Sequence, residues 1–270
     1  MRFEKILVIM QKEFDEIMKN KIVLSSILIM PLVFAILLPL TMILPIAFSG
    51  DMMSGGQTNQ TQEIPGMQID PGLGIQGSLI MYFMMVLMPL FMLLPAMLPV
   101  IISSYSIIGE KKNRTLEPLL AAPVSVYEII VGKALSAIIP ALLATWISTL
   151  LFFGISEAIT TYVLHTLIFP DMVVWLVAMV IIAPLLSFLG VLITLVISSK
   201  ANDPRVAQQI SVVFLLPLIG LFIVQMSGLL TINRPMLFAM AAGILIIDII
   251  ALRISNTMFD REEILTKWKS

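Results

Sequence analysis

The chain has no cysteine, a single histidine among 270 residues, and only 12% charged residues. Lacking cysteine, it can form no disulfide, thiolate metal site or thiol nucleophile. With His165 the only histidine, a two-histidine zinc motif is ruled out. No Gly-x-Ser-x-Gly elbow occurs either. A phosphate-binding loop is also missing: Gly132-Lys133 is followed by Ala134, and Tyr127 stands where the loop's first glycine belongs. This chain therefore does not hydrolyse ATP by that route, and no enzyme, cofactor or metal site is expected. Positive charge is the scarcest property locally, since no lysine or arginine lies between Lys21 and Lys111.

Long apolar runs take the place of charge. Soluble domains carry about 25% charged residues; here 59% of residues are hydrophobic. Six runs, 22–48, 79–102, 134–156, 173–197, 209–230 and 236–252, approach or exceed the roughly 20 residues that cross a bilayer core. Threading them alternately puts five Lys/Arg in the amino-terminal segment, four in 103–133, two in 198–208 and four in 253–270, on one side. The other side keeps only Arg234. The positive-inside rule then predicts cytoplasmic termini and a multi-pass protein of the cell membrane. The fold class is all-α integral membrane, one permease-sized domain over 1–270. The first run is too long for a signal-peptide core, so 22–48 is expected to be a retained span. Scattered basic residues without an aromatic platform argue against nucleic acid.

Before the first span, residues 1–21 predict an amphipathic helix. Phe3, Ile6, Leu7, Met10, Phe14, Ile17 and Met18 repeat at the spacing of one helical face. Glu4, Lys5, Lys12, Glu13, Asp15, Glu16 and Lys19 fall on the other. Such a helix lies in the interface of the bilayer, turning the chain into its first span. The loops 49–78 and 157–172, the latter holding His165, are expected outside. Pro89, Pro95 and Pro99 crowd the second span. Each removes a backbone donor, which is tolerated in a membrane only where neighbours satisfy the freed carbonyls.

The most specific stretch lies in 103–133. A charged connector from Glu110 leads to Thr115-Leu116-Glu117-Pro118-Leu119-Leu120, which Ala121-Ala122-Pro123 ends. Proline fits a helix only in its first turn, so a short helix is expected to start near Thr115. Ser125 and Glu128 then form a capping box that starts a second helix into the third span. The pair exposes Leu116, Leu119 and Leu120 as a docking surface.

This segment resembles the cytoplasmic signature of type-2 ABC transporter permeases. Glu110, Thr115, Leu116, Glu117, Leu119, Leu120, Pro123, Val124, Ser125, Glu128, Gly132 and Lys133 stand at the signature's places. The stretches 198–209 and 259–265 resemble that family's second cytoplasmic loop and its tail. The resemblance implies a permease subunit that exports a substrate, a partner ABC ATPase in the cytoplasm, and a second permease chain, identical or homologous. It also implies that Glu110, Thr115, Leu116, Glu117, Leu119, Leu120 and Pro123 couple to that ATPase. Only Thr231 to Pro235 separate the last two spans, which argues against a bulky substrate.

Two features stand outside that pattern. Asp248 is the one acidic residue within the six runs, and a charge there costs about 2.5–3.5 kcal/mol. It is a possible intramembrane polar site, which an ion-driven secondary transporter could use. The simpler expectation is a carboxylate near the inner boundary, hydrated or paired with Arg253. The twenty methionines are expected to fill gaps in the apolar interior rather than bind copper.

Overall fold

The computed structural model describes residues 3–49, 67, 69–112, 125–201 and 203–258. Among these residues every regular element is a helix. Helix α1 spans Phe3–Lys19. Six helices long and apolar enough to cross a membrane follow: α2 Lys21–Phe48, α3 Gly74–Glu110, α4 Tyr127–Leu164, α5 Met172–Ser198, α6 Pro204–Met226 and α7 Arg234–Ser255. Asn20 forms the elbow between α1 and α2. Its side-chain oxygen accepts from the amides of Ile22 (3.1 Å) and Val23 (3.3 Å), satisfying donors that a helix start leaves open.

Helix α3 is the axis of the bundle: its apolar window is 78% buried, against 17% for α7. Phe91 of α3 packs with Phe152 of α4 (ring centroids 4.8 Å) and Trp175 of α5 (5.6 Å) at the centre. Close approach of α3 and α5 depends on Gly190, where an added Cβ would stand 2.9 Å from the Ala96 carbonyl.

The prolines of the central spans are accommodated as the physics of a dry interior requires. Pro99 offers no amide to the Pro95 carbonyl, and the Ser187 hydroxyl of α5 donates to it at 2.7 Å. Pro89 likewise leaves the Met85 carbonyl short of its helical partner, and Gln225 Nε2 of α6 donates there at 3.0 Å. Helix α3 turns at Leu87, just ahead of Pro89. In α5 a wide π turn, Ala178–Ile182, precedes Pro184. There the Met179 carbonyl lacks a proline amide and receives the Trp146 indole of α4 at 3.0 Å. Three polar side chains on neighbouring helices thus satisfy carbonyls that prolines set free.

One expected loop is mostly helix. The segment 157–172 continues the helix Val126–Leu164, which His165 ends in the left-handed region at φ 53°. Glu157 explains the difference, because its carboxylate accepts the Ile168 amide (3.2 Å) and folds the chain back against the helix end. At 39 residues that helix is roughly 58 Å long, well beyond a core of about 30 Å. Its first turns are buried, with Glu128, Ile129, Ile130 and Lys133 all enclosed. At the opposite end Arg234 pairs with Asp171 at 3.1 Å, and Asp171 also caps α5.

Candidate coupling site

The start of α4 meets α1 and the far end of α3. The capping box expected at Ser125 is formed: Ser125 Oγ accepts from the Glu128 amide (3.2 Å), and Glu128 accepts from the Ser125 amide (3.0 Å). One turn on, Gly132 lets α1 lie directly on α4. An added Cβ there would come within 2.8 Å of Ile9. Helix α1 presents Ile6, Ile9, Glu13 and Ile17 to the protein, all buried. Leu7, Phe14 and Met18 form a separate, exposed apolar stripe. The single apolar face read from the sequence is therefore two stripes, and Glu13 belongs to the buried one instead of the solvated side.

Burial of Glu13 creates a charged node. Lys133 Nζ lies 2.7 Å from Glu13 and 2.8 Å from Glu110, and donates to Ser106 Oγ at 2.9 Å. Ser106 in turn donates to the second oxygen of Glu13. From the exposed side Lys12 reaches Glu110 at 2.6 Å, Glu13 at 3.2 Å and Glu16 at 3.2 Å. Glu13 is 1% exposed and Glu110 2%, so two carboxylates are held in the interior by two ammonium groups. Burial opposes ionisation of Glu13, but Lys133 and Ser106 outweigh it and hold its carboxyl down at about 2. Burial also opposes the charge of Lys12, and its hydrogen bond to Glu110 outweighs that, raising its pKa. Removing one member of a buried pair typically costs about 3–5 kcal/mol, because the survivor stays buried and uncompensated. The node therefore ties α1, α3 and α4 together near the end of α3.

Of the residues named from the sequence, Glu110 is in this node. Thr115, Leu116, Glu117, Leu119, Leu120 and Pro123 lie outside the described residues. Asp248 is elsewhere, on α7, which packs on α5. It is 3% exposed, and neither carboxylate oxygen has a hydrogen-bond partner among the described residues. Sequence reading passed over Lys12, Glu13, Ser106 and Lys133 as members. The available signal was angular, since Glu13 falls in register with Ile6, Ile9 and Ile17. No group of three or more metal-ligating side chains occurs among the described residues.

The six apolar helices make a polytopic helical bundle, with the charged node at one end of its central helix. The family model described as ABC-2 family transporter protein matches residues 7–239. The chain belongs to that family, and it is a type-2 ABC transporter permease. Comparison with curated proteins gave no match.

Proposed function

We propose that this permease exports its substrate by coupling to a separate cytoplasmic ABC ATPase through residues 110–124, paired with a second permease chain. The observation that carries this reading is the anchoring of Glu110. Residues 110–124 begin at a carboxylate clamped by Lys133 and Lys12, so a push on this segment is delivered to α4 and α1 together. Charge supports the orientation: the node lies at the lysine-rich end, which the positive-inside rule assigns to the cytoplasm along with both termini. Closure of the ATPases on nucleotide would tilt α3 about its turn at Leu87, with Ser187 and Gln225 keeping its freed carbonyls satisfied. ATP chemistry belongs to the partner, as this chain has no phosphate-binding loop.

The test is affinity purification of the chain from native membranes, followed by mass spectrometry. A stoichiometric ABC ATPase is expected with the wild type and lost when Leu116, Leu119 and Leu120 are replaced by Asp. A preparation free of ATPase, from membranes that contain such subunits, would overturn the proposal and favour ion-driven transport.

A further inference from the structure

A cleft of about 650 Å³ opens where α1 turns into α2, beside the end of α3. We propose that it binds one phospholipid of the adjoining leaflet, with the headgroup phosphate between Lys19 and Lys21 and an acyl chain against Ile22. Three observations converge on an amphiphile. Ile22, 55% exposed, stands in the first turn of a membrane-crossing helix beside the lysines, with Val23 and Ile102 buried behind it, so the mouth of the cleft offers an apolar contact on its bilayer side. Lys19 and Lys21 both line the mouth, both are exposed, and neither forms an ion pair among the described residues. Glu16 at the rim does not neutralise them, because it is engaged by Lys12 at 3.2 Å. Finally, the exposed stripe of Leu7, Phe14 and Met18 fits α1 to the membrane surface, which sets the elbow at headgroup depth.

A free inorganic anion would use the two lysines and leave Ile22 bare. A phospholipid satisfies both, since lysines beside an anionic surface and buried methylenes each contribute to binding. The floor of the cleft is formed in part by Glu13 and Ser106, two members of the charged node, with Gly109 next to Glu110. Occupancy therefore bears directly on the node. That consequence rests on the coupling role proposed above, whereas the lipid site itself does not.

Native mass spectrometry of the full-length chain, with phosphatidylglycerol or phosphatidylcholine added, tests the site without any ATPase. The wild type is expected to retain phosphatidylglycerol in preference, and Lys19→Gln with Lys21→Gln to lower that retention by roughly tenfold or more. In a second measurement, a photoreactive benzoylphenylalanine replaces Ile22, which lines the cleft and is 55% exposed. It is expected to cross-link phosphatidylglycerol in the presence of both lysines and to fail in the doubly substituted chain. Equal retention by the wild type and the double variant would overturn the proposal. So would release of the lipid by millimolar inorganic phosphate, which would mark an anion site instead. A failed ATPase capture with intact lipid binding would sink only the coupling role.

Discussion

Lys133 and Glu110 meet at 2.8 Å, joining the start of the fourth helix to the end of the central one. The contact is buried on both sides and shared with Glu13 of the amino-terminal helix. A surface pair would be worth little and would be screened by salt. Here the consequence is larger, since loss of the Lys133 ammonium leaves two buried carboxylates with Lys12 alone to compensate them.

Lys133→Met should therefore destabilise the protein severely, by roughly 3–5 kcal/mol. Adding Glu13→Gln to it should recover part of the loss, because one buried charge then disappears. Thermal unfolding of the purified chain in detergent reads both. A double variant less stable than Lys133→Met alone would contradict the shared node.

The pH dependence follows from Glu13. Its carboxyl titrates near 2 in the folded chain against an ordinary 4.5. A carboxylate lowered on folding stabilises fully above its free value and loses that contribution as pH falls towards the folded one. Docking of α1 should be unaffected above about pH 4.5 and weaken progressively between there and about pH 2. Hydrogen exchange of the α1 amides at stepped pH measures this, with Glu13→Gln expected to flatten the profile. Identical profiles for the two proteins would show that Glu13 does not hold the helix.

Ser187 and Pro99 make a paired prediction. Ser187→Ala should lose about 0.6–1.7 kcal/mol, the range of a hydrogen bond between membrane helices. In a Pro99→Ala background the amide returns to the Pro95 carbonyl, and the same substitution should lose much less. A double-mutant cycle with no coupling would separate the serine from the proline.

Asp248 is buried without a hydrogen-bond partner among the described residues. An ionised carboxylate in a span costs about 2.5–3.5 kcal/mol. Asp248→Asn should accordingly leave thermal stability unchanged or raised, and leave transport intact. A clear loss of transport with normal assembly would make this carboxyl part of the mechanism.

Much of the bundle was legible because its rules are physical and local. Apolar run length located the crossing helices, and Ser125 with Glu128 announced a helix start that forms as written. The rule that freed carbonyls need neighbours anticipated partners for the prolines of α3, though not that Ser187 and Gln225 supply them. Such partners come from distant spans, and no single-chain periodicity encodes them. Glu13 carries charge and falls among the polar residues of the amphipathic pattern. Glu13 instead follows the angular register of Ile6, Ile9 and Ile17, and meets a lysine 120 residues away. The segment 157–172, expected as a loop, begins in helix, and Glu157 staples the chain that follows.

Photocross-linking from the coupling segment tests the central claim most directly. With benzoylphenylalanine in place of Leu119 and irradiation of native membranes, the expected adduct is an ABC ATPase subunit, identified by peptide mass. Adducts that contain only lipid or other membrane proteins, from membranes in which such a subunit is present, would contradict coupling through this surface.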